Sequence, residues 1–346
     1  MLKTVTLSQL ARKARVSIST ASRVMNGDLA VQESTRDRVL KAAQTLNYSP
    51  NLLAKSLRAG KSFTIGLVID NISNPFFAEI TNGIEHVAQQ NGYNLFLCNS
   101  HLDDKKTMQY LDILLGRGVD GVIFSGLGTD VASLAMRIDR LRREEIFTVL
   151  VSSRWPIDRC SSITVDHSKA SRLAVDYLVS LGHTQLGFMH GRKNTVVNEE
   201  RFAGFQQGLL EAGLTPQLRW CSEGGFDYDQ AKQAMRNLVR AGDLPTGLVV
   251  ANDLMALGVL EVAREVNLSI PEDLSVIGCD DIAFAAQSYP ALTTVRLPQY
   301  QLGEAAMQEL LRLFSSKGEE GYQHVVMDVR LIKRGSAGPI PKERID

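Results

Sequence analysis

The chain has 346 residues, 44% hydrophobic and 22% charged, with no biased run, which excludes a disordered or collagen-like protein and leaves room for two or three domains. Its formal net charge of zero argues at first sight against a nucleic-acid partner. The distribution reverses that reading: residues 1–61 carry 11 Lys or Arg against three acids, a charge of +8, and the rest of the chain carries −8.

Residues 3–48 pattern as short helices only. Thr6 and Gln9 have capping-box spacing, and Leu7, Leu10, Ala11 and Ala14 follow at one-face helical intervals. A second helix is expected from Ser17, turning Ala21 and Val24 inward and stopping near Asn26-Gly27. Ile18, Ser19, Ser22 and Arg23 are then left facing outward. A third helix is expected from about Glu33 to Leu46, with Val39, Ala42, Ala43 and Leu46 on one face. The first two helices have the build of a helix-turn-helix, in which short side chains let the second helix approach the major groove and Arg23 forks onto guanine or phosphate. The competing reading is a small helical bundle used for protein contacts. Arg15 occupies a turn position where Gly is commoner, and if it is left-handed it carries strain of about 1 kcal/mol.

Residues 49–61, SPNLLAKSLRAGK, form a bridge with Pro50 suited to a first helical turn and Gly60 to a stop. So short a helix does not hold alone in water, and folds only when something packs against it.

From Phe63 the pattern alternates strand and helix. Strand-like runs fall at 63–70, 93–100, 119–126 and 146–153, then at 161–167, 185–191, 218–224, 246–253 and 274–281. Amphipathic helices lie between, as at 76–91. Continuous Val/Ile/Leu strands between helices indicate parallel sheets buried on both faces. Two such series predict two doubly wound lobes with a ligand cleft at the carboxyl ends of the strands. LTTVRLP, a helix at 299–316 and HVVMDVRLIKR complete the lobes or cross between them.

Catalytic signatures fail. Gly126-Leu127-Gly128 starts like a dinucleotide fingerprint, but its third glycine position is Val131. The six histidines make no metal spacing, and neither a G-x-S-x-G elbow nor a Walker lysine occurs. Asp280 and Asp281 are adjacent on a strand and point to opposite faces, which opposes a two-carboxylate mechanism. Cys98, Cys160, Cys221 and Cys279 lie far apart and read as reduced core thiols. The start lacks the apolar core of a signal peptide, and no apolar stretch approaches a membrane span. A cytoplasmic protein without metal or cofactor is expected.

The string VTLSQLARKARVSISTASRVMNG, followed by STRDRVLKAAQTLNYSPNLLAKSLRAGKSFTIGLVI, resembles the LacI/GalR family of bacterial repressors. So do NPFF at 74–77, IPEDLSVIGCDDI at 270–282 and PALTTVRLP at 290–298, so that the resemblance runs along essentially the whole chain. It implies a headpiece, a hinge helix that orders on operator, and a core like a periplasmic sugar-binding protein. Carried over residue by residue, Ile18, Ser19 and Arg23 fall on base-reading positions, and Thr6, Thr20, Ser22 and Asn26 on backbone-holding ones. Leu57 falls on the hinge leucine that wedges into the minor groove, with Arg58 beside it; the other reading of Leu57 is a linker residue packed on the core. The resemblance places effector contacts at Asn74, Phe76, Phe77, Ser153, Arg154, Arg201, Phe226, Asn252 and Asp280. These suit a polyol or glycoside, with rings on its apolar faces and polar groups on its hydroxyls. Competing readings stay open: Phe77 or Phe226 as plain core, Asp280 as a cap for the next segment, Arg201 as a surface ion pair with Glu199 or Glu200. Ser153 stands where many sugar-binding members carry Asp.

The expected organisation is a headpiece at 1–49, a hinge at 50–61 and a core at 62–346, with lobe one at about 62–161 and 292–322 and lobe two at about 162–291 and 323–337. The expected protein is a homodimeric repressor of a carbohydrate-utilisation operon. Its partners are near-palindromic double-stranded operator DNA and a small sugar-like effector, and it has no membrane partner. The rival readings are a sugar-binding protein of a transport system and a sugar-modifying α/β enzyme.

Overall fold

Thr6 accepts from the Gln9 backbone while the Gln9 side chain accepts from the Thr6 backbone, and this reciprocal cap starts α1, Leu7–Ala14. Ser17 plays the same part for α2, Ile18–Met25, its hydroxyl accepting from Thr20 N at 3.0 Å. With α3, Glu33–Thr45, these helices close on Leu10, Ala14, Val24, Val39, Ala42 and Ala43. The computed structural model describes residues 5–25, 27–28, 30–48, 60–126, 131–153, 157 and 159–340. It divides the chain into two compact units, Met1–Ser62 and Phe63–Asp346.

The larger unit holds two six-stranded sheets. In chain order its elements begin β1 (Thr64–Ile69), α4 (Pro75–Gln90), β2 (Asn94–Asn99), α5 (Asp104–Gly116), β3 (Gly121–Ser125), α6 (Val131–Arg143), β4 (Phe147–Val151), β5 (Ser161–Val165) and α7 (His167–Ser180). They continue β6 (Leu186–His190), α8 (Val196–Glu211), β7 (Cys221–Glu223), α9 (Tyr228–Ala241), β8 (Gly247–Val250), α10 (Asp253–Glu265), β9 (Ser275–Asp280) and α11 (Ala283–Gln287). The last are β10 (Thr293–Arg296), α12 (Gln299–Ser316), β11 (His324–Met327) and β12 (Arg330–Ile332). Sheet one has the order β11-β5-β4-β3-β1-β2 and is parallel throughout. Sheet two has the order β12-β10-β9-β8-β6-β7, parallel except for β12.

These pairings correct the expected lobe boundaries. β5 stays in lobe one beside β4, with Val149 opposite Ser161. β10 belongs to lobe two beside β9, with Thr293 opposite Ile277, and β11 returns to lobe one beside β5. The chain therefore crosses between lobes three times: after β5, after β10 and between β11 and β12. Every one of these strands is short and apolar or β-branched, so its composition fits either sheet and only hydrogen-bond register assigns it.

Helices seat closely where glycine permits. A Cβ on Gly83 would lie 2.1 Å from the Tyr300 carbonyl oxygen, and one on Gly303 would lie 2.1 Å from that of Ile80. That close seating fixes α12, which arrives from lobe two, against α4 of lobe one.

Candidate functional site

Two surfaces collect the residues singled out in the sequence. In the small unit Thr6, Ile18, Ser19 and Arg23 are exposed, while Thr20 and Ser22 are half-buried. Ile18 is 54% exposed, unusual for a large apolar residue that opens a helix. Inward-facing Ala21 and Val24 fix the rotation of α2, so Ile18, Ser19 and Arg23 share the outer face. Arg23 pairs with Asp28 at 2.7 Å, and that bond holds the Asp28 carboxyl below its ordinary range. Asn26, Leu57 and Arg58 lie outside the described residues, as does most of the expected hinge at 50–61.

Arg15 ends α1 with φ 52 and ψ 49, the left-handed conformation. An L side chain is strained there and glycine is not. Arg15→Gly is expected to stabilise this unit by roughly 0.5–1 kcal/mol, net of the freedom glycine gains in the unfolded chain. Hydrogen-exchange protection of α1 and α2 in the full chain checks this.

In the large unit the polar residues gather at the carboxyl ends of the strands. Lobe one contributes Asn71 and Asn74 after β1, Phe76 and Phe77 on the first turn of α4, Leu102 after β2 and Ser152 after β4. Lobe two contributes Val197 and Arg201 from α8, Phe226 after β7, Asn252 after β8 and Asp280 at the end of β9. These eleven residues line a cavity of about 420 Å³ that opens to solvent.

Seven expected effector residues meet here: Asn74, Phe76, Phe77, Arg201, Phe226, Asn252 and Asp280. Ser153 does not line the cavity. Ser152 before it is left-handed at φ 65, which turns Ser152 into the cleft and sends the Ser153 hydroxyl to the Gly126 carbonyl at 3.4 Å. Arg154 lies outside the described residues. The sequence reading missed Asn71, Leu102, Ser152 and Val197. Strand ends mark the two polar ones; Leu102 and Val197 carry no signal that separates a cavity wall from core.

Asn74 and Asn252 each cap a helix through Oδ1, accepting from Phe76 N at 3.1 Å and Met255 N at 3.0 Å. Each cap turns an amide Nδ2 donor away from the helix it starts. The Phe76 and Phe77 rings meet edge to face, centroids 5.2 Å apart. Phe226 has φ 60 and follows Gly225 at φ 65. Its ring lies on the Gly191 backbone, where a Cβ would stand 2.2 Å from it. Asp280 is also at positive φ, 130, and Leu102 at 60. Four of the eleven wall residues thus hold backbone conformations that L residues rarely adopt, each costing about 1–3 kcal/mol, which core packing must offset.

Arg201 is neither a surface pair nor bonded to Glu199 or Glu200. It is buried, and its guanidinium donates to the Ala251 carbonyl, to Asp280 Oδ1 at 3.3 Å and to His167 Nδ1 at 3.4 Å. The far ring nitrogen of His167 donates to the Ser152 carbonyl at 2.6 Å. A buried chain of hydrogen bonds therefore runs from Ser152 in lobe one through His167 and Arg201 to Asp280 in lobe two. Burial, reinforced by Arg201, lowers the His167 pKa to about 3 from an ordinary 6.5. Burial also raises the Asp280 carboxyl above its usual range, against the pull of Arg201. Asp281 faces elsewhere, accepting from Arg334 at 2.6 Å and from Arg296.

The lowered His167 pKa has a sign. The unfolded chain protonates this ring near 6.5 and the folded chain only near 3. The group's contribution is therefore whole above pH 6.5 and declines by about 1.4 kcal/mol per pH unit as pH falls toward 3. Urea unfolding of the native chain and His167→Gln between pH 4 and 8 should show the variant's acid-side slope shallower by about one proton.

Among the described residues no group of three His, Cys, Asp or Glu is placed to hold a metal, and no helix is long and apolar enough to cross a membrane.

Comparison with known proteins matches residues 6–51 to the bacterial regulatory proteins of the lacI family and residues 175–337 to a periplasmic binding protein-like domain. Catabolite control protein A of Priestia megaterium is 35% identical over 90% of this chain and 93% of its own length. The HTH-type transcriptional repressor PurR of Aliivibrio salmonicida is 33% identical over 91% of this chain and 94% of its own. Among solved structures, the lac repressor dimer bound to operator and the anti-inducer ONPF aligns with a TM-score of 0.82 at 28% identity, covering 97% of this chain and all of that one. The transcriptional regulator CelR in complex with cellobiose aligns at 0.72 and 28% identity, covering 96% and all of it. The helix-turn-helix unit, the two-lobed core and these relatives agree: the chain belongs to the lacI family of bacterial DNA-binding transcription regulators, with a periplasmic binding protein-like core.

Proposed function

We propose that this chain is a homodimeric repressor that reads near-palindromic operator DNA through the outer face of α2 and answers to a neutral carbohydrate held between its lobes. The observation that carries the reading is the cleft. Amide donors from two helix caps, the Arg201–Asp280 pair and phenylalanine faces converge there from both lobes. A sugar offers hydroxyls to the first groups and apolar ring faces to the last. Because both lobes supply walls, an occupant bonds to each lobe and biases their relative angle, and a coupling of a few kcal/mol is enough to shift operator affinity. Cellobiose in CelR supports the ligand class, and the operator-bound lac repressor dimer supports the assembly. A carbohydrate-utilisation operon is the target class this implies.

Two measurements test it. A gel shift against a duplex selected from a random pool should show preferred binding, and Arg23→Ala should reduce that preference to the level of unselected DNA. A thermal-shift screen of sugars, phosphosugars and nucleosides should find a neutral sugar, which at 100 times its Kd adds about 2.7 kcal/mol. Response only to nucleosides or phosphosugars would sink the carbohydrate reading and leave the DNA-binding one.

A further inference from the structure

Residues 1–61 carry three acids among 11 cations, and one of the three, Asp28, stands against Arg23 on α2. A carboxylate near phosphates lowers affinity for every sequence alike. The end of α2 brings the two together. Gly27 is left-handed at φ 78, its N–H donates to the Val24 carbonyl at 3.0 Å, and the Asp28 N–H donates to the Arg23 carbonyl at 3.0 Å. This nested pair is a common glycine stop of a helix. It folds the residue after the glycine back over the last turn, where the contact is frequently apolar. Here that contact is an ion pair.

We propose that Asp28 is a positioning residue for DNA reading, which holds the Arg23 guanidinium by Nε and presents its two Nη groups as a preset fork for guanine. This rests on the reading of α2 as the DNA-contacting helix, and adds the base that Arg23 selects and the group that aims it.

The two carboxylate oxygens divide the work. Oδ1 accepts from Ala30 N at 2.9 Å, which fixes the carboxylate to its own turn, and Oδ2 accepts from Arg23 Nε at 2.7 Å. A guanidinium forks in two ways: along its side, through Nε and one Nη, or at its end, through both Nη. Asp28 occupies Nε, and among the described residues nothing else bonds to the Arg23 side chain, which stays 55% exposed. The end-on edge is the one left for DNA. In the major groove guanine sets two acceptors, N7 and O6, side by side, whereas adenine sets a donor beside N7. An unheld arginine gives up its rotamer freedom on binding; one held in advance has already done so, and the gain is realised only where the fork finds its base.

Fluorescence anisotropy on the full chain tests this, with the duplex selected from a random pool, the same duplex changed at one base pair at a time, and a scrambled duplex. Arg23→Ala first marks the column whose identity ceases to matter, and a guanine should stand there. Asp28→Asn is the discriminating variant. Asparagine offers one acceptor where two donors wait, and the bond to Ala30, only two residues on, is the one it keeps. The turn survives and Arg23 is released. Asp28→Asn and Asp28→Ala should each lower the preference for guanine in that column by about 2- to 12-fold, the worth of one immobilised long side chain. Each also removes a negative charge, so the scrambled duplex should bind as tightly as before or tighter. Those opposed signs separate positioning from a structural role, which would weaken both duplexes together and would overturn the proposal. Undiminished guanine preference in Asp28→Asn would also overturn it, leaving Asp28 as a turn residue and the reading of α2 intact. Loss confined to a neighbouring column would overturn it too, by making Asp28 a base reader itself. If Arg23→Ala leaves every column as it was, the base-reading role of Arg23 falls and the proposal falls with it.

Discussion

Raising salt from 50 to 200 mM should weaken operator binding by about 10³- to 10⁶-fold, with a log–log slope between about −5 and −10. The slope counts cations that replace counterions on phosphates and takes no account of the protein's total charge. A chain of net charge zero can therefore bind DNA with steep salt dependence, provided its cations are segregated. Here they are: residues 1–61 are +8, and a dimer presents two such segments. Some of these cations do not act on phosphates: Arg36, for one, donates to the Val31 carbonyl. That keeps the expected slope well below the 22 Lys and Arg that two segments contain. Fluorescence anisotropy on a selected duplex and on a scrambled one, at five salt concentrations, checks it. Parallel slopes with an offset separate base reading from charge, because the phosphate contribution is common to both duplexes. A slope shallower than about −2 would be incompatible with the headpiece acting through phosphates.

Much of this architecture was legible because the signals were local. The α12 helix falls at 299–316 as its spacing predicts, and nine expected strands each contain an observed one. One of these shrank: residues 218–224 hold a 3-10 turn at Leu218–Trp220 and a strand of only three residues, and Leu218 is exposed. Assignment to a lobe was not legible for β5, β10 and β11, since neither sheet has a composition of its own. In the cleft, polar residues at strand ends could be named in advance, and the resemblance to a family supplied which ones. Leu102 could not, for its place depends on a left-handed turn and a bond from Arg192 some ninety residues away. His167 was counted as one of six histidines without metal spacing; its role between Ser152 and Arg201 is a tertiary fact that spacing does not carry.

Arg201→Ala should cost about 3–5 kcal/mol of core stability and abolish the response to effector while operator binding persists below the melting temperature. The reason is the partner left behind. Asp280 is buried to 3% exposure and has Arg201 as its ion-pair partner, so truncation strands a carboxyl in a site where burial already favours its neutral form. Removing the guanidinium also removes the pull that held the Asp280 pKa down. The folded variant then binds that proton more tightly than the unfolded chain, whose carboxyl titrates near the ordinary 3.8. The deficit is therefore smallest below that pH and widens as pH rises through the higher folded value. Adding Asp280→Asn to Arg201→Ala removes the stranded charge, and the double variant should recover part of the loss at neutral pH and none at pH 4. Because His167 loses the same neighbour in both variants, the difference between their urea curves isolates Asp280. Calorimetry with the sugar found in the screen should give no binding to either variant, since Asn keeps the shape of Asp280 but restores no cation. Wild-type affinity in Arg201→Ala would mean that the buried pair only braces the lobes, and that the ligand lies against the phenylalanines without touching it.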